Sequence, residues 1–388
     1  DSTFEIIANS PNHETLEQAL VDAGLDEALN SGIYTVFAPT DAAFQEANIS
    51  GDELTNTVLN HVLANEGEFF TVAPGISQAN TFSTGYVKTL ATERITGNAN
   101  NLDLYVNVND ETNEVLVNGI EVTDPNKNAN NGVVHIIDNV ITLPDVTTFA
   151  TVDPTFGNLA AALTREDQPD FVDILNAPNG TGDAPFTVFA PTNNAFADLI
   201  DELNLSGLNR VPQQTLTFAL QSHVIAGANV RAADLTSGTE STLKASLEVD
   251  ADNATLTDPN GRVSEIIVTD VQTANGVIHA IDKVVLPELA PLNSTFDEIA
   301  NSPNHNTLEQ ALIDTDLDDV LDTGMFTVFA PTDAAIGNAL DGLSTDVKTN
   351  ILLNHVLNGN ILSSDLSNSY LKTNATESYS GDGNFIDM

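Results

Sequence analysis

The sequence predicts an α+β chain made of three successive copies of one domain. Three observations carry that prediction. The decapeptide TVFAPTDAAF at Thr35–Phe44 returns as TVFAPTNNAF at Thr187–Phe196 and as TVFAPTDAAI at Thr327–Ile336. The copies begin 152 and 140 residues apart (35 to 187, 187 to 327), a domain-sized period well above the roughly 20 to 50 residues of a solenoid repeat. Around each decapeptide, helix-period runs alternate with short β-branched runs bounded by Gly, Pro and Asn, which mixes helix and strand within one domain.

The first copy shows the elements in order. In TLEQALVDAGLDEAL, the apolar residues Leu16, Ala19, Leu20, Ala23, Leu25 and Leu29 recur at helical spacing, giving a helix pair broken at Gly24. IYTVFAP is a strand stopped by Pro39. Thr40 or Asp41 then caps a helix whose Phe44 packs back on the core. DELTNTVLNHVLA reads as one more helix. YVKTL, LDLYVNV, EVLVNGIEV and GVVHIIDNVI each read as a strand, with a turn in NVNDETNEV.

Phe4, Phe156 and Phe296 each open a helical pattern ahead of a decapeptide, so the domains are set at 1–145, 146–288 and 289–388. LPDVTTFATVDPTF and LPELAPLNSTF read as short Pro-bearing linkers between them. Residues 1–44 and 293–336 share 30 identities of 44, which points to duplication of a two-domain unit. The stretch from Tyr370 aligns without a gap on that from Tyr86, which places Met388 on Leu104, inside a strand. The third domain therefore reads as C-terminally incomplete, to be finished by residues beyond 388 or by strands of a partner. An opening at Asp1 reads as a processed or partial chain.

With 11 Lys plus Arg against 56 Asp plus Glu, the net charge is −45. Such a field repels nucleic acid and anionic membranes, and suits salty water or divalent cations. The absence of Cys excludes disulfides, thiolate metal sites and a Cys nucleophile. No apolar run is long enough for membrane insertion.

The repeated residues need no catalytic explanation. Thr35, Phe37, Pro39, Thr40 and Asp41, with Phe189, Pro191 and Thr192 and with Phe329, Pro331, Thr332 and Asp333, describe a buried strand that stops abruptly and feeds a capped helix. His61, His223 and His355 recur in the helical motif, His135 and His279 in the strand motif. Among apolar neighbours they read as core histidines bonded to a nearby carbonyl or carboxylate, whose protonation would loosen the domain. Asp250 and Asp252 stand at calcium-loop spacing without the loop Gly or closing Glu, so they are weak metal candidates. No cofactor is expected beyond loosely held divalent cations. No nucleophile elbow, zinc-helix motif or phosphate loop occurs, so no enzyme is expected.

TVFAPTDAAF, LNHVLA and NGVVHIIDNVI in that order, matched by TVFAPTNNAF, LQSHVIAG and NGVIHAIDKVV, resemble the fasciclin domain; the third copy carries TVFAPTDAAI and LLNHVLNG. The resemblance implies a wedge-shaped β-sandwich flanked by short helices, repeated in tandem, outside the cell or on its surface. It implies adhesion by binding other proteins or matrix components, without catalysis. Acidic, Cys-free composition is similar to bacterial members. The segments associated with integrin contact in animal members differ: Asp270-Val271 and Asp124-Pro125 replace Asp-Ile, and Asn60, Ser222 and Asn354 precede the histidines where Tyr is usual. The expected function is a non-enzymatic extracellular adhesion or structural module acting through multivalent binding, in its extreme form a filament whose chains associate by donating strands. The alternative is a carrier of a lipid or other small apolar ligand, recognisable by an enclosed apolar pocket of roughly a few hundred Å³.

Overall fold

Ser2 starts the first helix. Its Oγ accepts from Glu5 N–H while its own N–H donates to the Glu5 carboxylate, a reciprocal cap. In this computed structural model, which describes residues 1–64, 83–97, 99–109, 111, 112, 114–203, 205–288, 294–323, 326–359, 361, 363, 366, 370–376 and 385–387, the chain divides into two compact units, Asp1–Glu288 and Leu289–Met388.

The first unit opens with α1 (Thr3–Ala8), α2 (Glu14–Asp22) and α3 (Asp26–Ser31). Gly24 between the last two has φ +69°, a left-handed conformation that lets the chain reverse. Strand β1 (Tyr34–Pro39) alternates cleanly: Val36 and Ala38 face the helices, Phe37 the opposite side. After α4 (Asp41–Ala47) and α5 (Asp52–Leu59) come β2 (Val62–Ala64), β3 (Gly85–Thr92), β4 (Asn101–Asn109), β5 (Glu114–Val117), β6 (Ile120–Ala129) and β7 (Gly132–Ile137). Their order is β2-β1-β7-β6-β5-β4-β3, antiparallel except for the parallel pair β1–β7. Register shifts between Val122 and Lys127 interrupt β6, and such bulges bend a strand. Phe37, Leu63, Leu104, Val106, Val117 and Ile137 form one core between the sheet halves. Leu16, Leu20, Val36 and Phe44 form another under the helices.

The second half of this unit repeats the plan. Helices α6 (Thr148–Val152), α7 (Gly157–Leu163) and α8 (Phe171–Leu175) precede β8 (Phe186–Pro191), α9 (Asn193–Glu202), α10 (Gln213–Ser222) and β9 (Val224–Ala226). Strands β10 (Gly238–Ser241), β11 (Ser246–Asp250), β12 (Thr255–Thr257), β13 (Val263–Gln272) and β14 (Gly276–Ile281) complete a sheet ordered β10-β11-β12-β13-β14-β8-β9, the same sequence of strands as in the first half.

In the second unit, α11 (Thr295–Ala300), α12 (Asn306–Ile313), α13 (Asp318–Thr323), α14 (Asp333–Ile336) and α15 (Thr345–Leu353) pack Ile299, Leu308, Leu312 and Leu352 together. Strand β15 (Phe326–Val328) pairs with β16 (Val356–Asn358), and β17 (Lys372–Thr376) with β18 (Phe385–Asp387).

Four sequence readings are corrected. The helix read through Ala64 ends at Leu59, and Val62–Ala64 is strand β2, whose pairing with Tyr34–Val36 of β1 takes the backbone groups that a further helical turn would use. EVLVNGIEV is two strands, because Asn118 and Gly119 both have positive φ (46° and 79°) and close a tight hairpin. The stretch read as the first linker contains α6, with Phe149 and Ala150 buried. Phe156 does open a helix, but its counterpart in the first domain is His13 rather than Phe4: the two are the cap residues of α7 and α2. Asp145, whose carboxylate caps α6 while its N–H donates to Thr148 Oγ1, matches Ser2 instead.

Candidate functional site

Four sets of side chains recur or converge, and the decapeptide supplies the first. Thr40, Thr192 and Thr332 each accept through Oγ1 from the N–H three residues on (Ala43, Ala195, Ala335) at 3.3 Å, so threonine is the cap. The next residue does something else. Asp41 accepts from Thr15 N–H at 2.7 Å and Glu14 N–H at 3.3 Å, capping α2 from across the fold. Asn193 accepts from Asn158 N–H at 2.8 Å, and Asp333 from Thr307 N–H at 2.7 Å. These backbone bonds hold the Asp41 and Asp333 carboxyls below the usual carboxylate range. Thr35 is buried on β1, and Pro39, Pro191 and Pro331 lie just before the caps.

The NG of the last motif is the second clamp. Asn131 accepts from Thr3 N–H and donates to Leu29 and Gly32 carbonyls. Asn275 accepts from Val146 N–H and donates to Leu175 and Ala177 carbonyls. The glycines beside them let β7 and β14 approach their parallel partners: a Cβ on Gly132 would sit 1.9 Å from Tyr34 O, and one on Gly276 2.2 Å from Phe186 O.

The histidines are fully buried tethers in the first unit. His61 Nε2 accepts from Ile141 N–H at 2.9 Å, so the proton is on Nδ1, which donates to Thr57 O at 2.7 Å. His223 repeats this with Val285 N–H (3.0 Å) and Ala219 O (2.7 Å). His279 has the opposite tautomer, Nδ1 accepting from Asp270 N–H at 3.4 Å and Nε2 donating to Val230 O at 2.9 Å. His135 Nδ1 likewise accepts from Asn126 N–H. Phe37 and His135 lie opposite each other on β1 and β7, rings 5.7 Å apart; Phe189 and His279 match them at 5.8 Å. Burial drives His61, His135 and His223 down to about 4, and lowers His279. His355 Nδ1 donates to Ile351 O. Phe329 N–H donates to His355 O at 2.9 Å, as Phe37 does to His61, yet Phe329 is 36% exposed: among the described residues no parallel strand covers β15.

The fourth set joins the two halves of the first unit, and sequence reasoning missed it. Tyr86 on β3 packs edge-on to Phe149 of α6, 5.2 Å between centroids, and its hydroxyl donates to Asp153 at 2.8 Å. Burial and that carboxylate push the Tyr86 hydroxyl far above its usual range, and Tyr105 beside it up to about 12. Asp103 on β4 is 3% exposed and accepts from Gln272 N–H at 2.6 Å and from Lys88. Burial pushes its carboxyl up to about 6, against the pull of Lys88, the Gln272 N–H and Arg231. Lys88 also donates to Asp270 O at 3.1 Å, while Arg231 pairs with Asp270 at 3.2 Å. Asn60, in place of the Tyr of animal members, is buried and donates to Thr142 O. YVKTL offered no sign that its Tyr meets an Asp 67 residues away.

Asp250 serves its turn: its two carboxylate oxygens accept from the N–H and the side-chain amide of Asn253. Among the described residues no cluster of three or more His, Asp or Glu is close enough to hold a metal ion. Nor is any helix there long and apolar enough to cross a membrane.

The Fasciclin domain profile matches residues 11–144, 154–287 and 303–385. The chain belongs to the fasciclin domain family. The chain is similar to the uncharacterized protein sll1735 of Synechocystis sp., 31% identical over 151 residues, which cover 37% of this chain and 98% of that protein. Transforming growth factor-beta-induced protein ig-h3 of Sus scrofa is 28% identical over 255 residues, 64% of this chain but 35% of its own length. The chain thus spans about a third of that longer fasciclin-domain relative. Among solved structures, a FAS1 domain pair from the insect cell adhesion molecule Fasciclin I covers 71% of this chain and 96% of its own, with 21% identity and a TM-score of 0.45.

Proposed function

We propose that the chain is a non-enzymatic adhesion or structural module of the extracellular space or cell surface, binding other proteins or matrix components through several weak contacts in parallel. Family membership and tandem repetition support this reading, as does the net charge of −45, which favours a salty or cation-rich exterior over nucleic acid.

One observation carries it furthest. The Tyr and Lys through which one fasciclin domain meets the next, Tyr86 and Lys88, recur in the sequence as Tyr370 and Lys372, and Tyr370 is 87% exposed. Exposed aromatic and cationic side chains on a face that docks a domain elsewhere in the chain suit repeated protein–protein contact. Self-association between chains, with a filament as its limit, is the finer form of the same reading. Affinity would come from the number of contacts rather than from any one of them.

The test is retention of chain-coated microspheres, at several coating densities, on surfaces bearing matrix protein or the chain itself. Retention should rise steeply with density and fall for Tyr370→Asp. Absence of retention on both surfaces at every density would overturn the reading.

A further inference from the structure

The second domain of the first unit has a partly open cavity of about 220 Å³ between its helices and its sheet. Phe149, Ala150, Leu159, Phe171, Leu175 and Leu220 line it. Ile174 and Leu243, 44% and 42% exposed, stand at its mouth beside the exposed Asp183.

Its origin is legible by comparing the two domains of this unit. Thr3 N–H and Val146 N–H make the same bond, to Asn131 and Asn275. Four residues on, the first domain has Ile7, fully buried, and the second has Ala150. The helix is thus a side chain short at the point where it covers the sheet.

The lining also defines what could enter. Its polar residues are Asp183, Gln221 and His223, and both ring nitrogens of His223 are already bonded, to Ala219 O and Val285 N–H. An apolar cavity without several free polar partners holds water poorly, and when empty it forfeits the dispersion contacts of its walls. About 150 Å³ of such space suffices to take up benzene. No Lys or Arg lines the space, and Asp183 with the chain's −45 charge disfavours an anionic head group.

We infer that this cavity is a binding site for a compact, uncharged, apolar molecule, of the size of one ring or two fused rings. The site goes beyond the adhesive reading and does not depend on it. It would load the second domain specifically and stabilise it by filling its core.

The chain has no Trp, so indole fluorescence can be followed against the protein without an indole background. Titrating the full chain into indole should give a saturable blue shift, one site per chain, with a Kd on the order of 1 mM or tighter. Saturating indole should also raise the melting temperature. Ala150→Phe should abolish both effects; if that variant does not fold, Ala150→Ile, carrying the first domain's residue, should weaken both. Octanoate should compete poorly. A blue shift that does not saturate, one that survives Ala150→Phe or Ala150→Ile unchanged, or octanoate binding tighter than indole would overturn the proposal.

Discussion

His61 Nε2 accepts a hydrogen bond from the backbone N–H of Ile141, 80 residues further along the chain, at 2.9 Å. The bond ties the turn after α5 to the segment that leaves β7, and it requires a neutral ring. Protonation would set N–H against N–H inside a core. His61, His135 and His223 have pKa values of about 4 when folded, against an ordinary 6.5. Below pH 6.5 the unfolded chain therefore binds protons that the folded chain refuses. Their stabilisation is complete above pH 6.5 and is lost as pH falls towards 4. At pH 5.5 the loss is on the order of 1 kcal/mol for each ring, a few kcal/mol together. Asp103 has the opposite sign: its raised pKa of about 6 adds stability as pH falls through 6, which offsets a smaller part of that loss. Urea melts at pH 7.5 and 5.5 should show a net loss of a few kcal/mol, and equal midpoints would refute the tether. His61→Leu should cost about 1–3 kcal/mol at pH 7.5 and remove roughly a third of the acid loss.

Gly132→Ala should be among the most damaging single changes. The new Cβ would meet Tyr34 O at 1.9 Å, backbone against backbone, at φ +149°. The parallel β1–β7 pair must separate, at a cost of about 3 kcal/mol or more. Thermal melts of Gly132→Ala and of the exposed Gly97→Ala, which has nothing within 4 Å of its Cβ, separate crowding from backbone strain.

Asp41→Ala should destabilise by about 1 kcal/mol, the usual cost of losing a helix cap. Asp41→Asn should lose less than half of that, because Asn193 makes the same bond in the second domain. Equal losses would show that the carboxylate charge matters more than the hydrogen bond.

Tyr86→Phe removes the bond to Asp153 while keeping the ring against Phe149. The buried Asp153 carboxylate, 5% exposed, then lacks that donor, at a cost of about 1–2 kcal/mol. Calorimetry should resolve two transitions in the variant where the wild type melts its first two domains as one. A single unshifted transition would exclude a coupling role for this bond.

Local patterns in the chain were enough to mark the repeats, the strand through Phe37 and its capped helix, because such features depend on neighbours a few residues away. The same holds for the helix break at Gly24. Local sequence left the cap of that helix open between Thr40 and Asp41, because the helix that Asp41 does cap starts 27 residues earlier. Only the fold could assign it. The histidine tethers, the Asn131 and Asn275 clamps, the junction of Tyr86 with Asp153 and the cavity beside Ala150 all join groups far apart in sequence. A recurring motif shows that some constraint acts on a residue. Which distant atom imposes it is settled when apolar burial closes the chain on itself and each buried donor must find its acceptor.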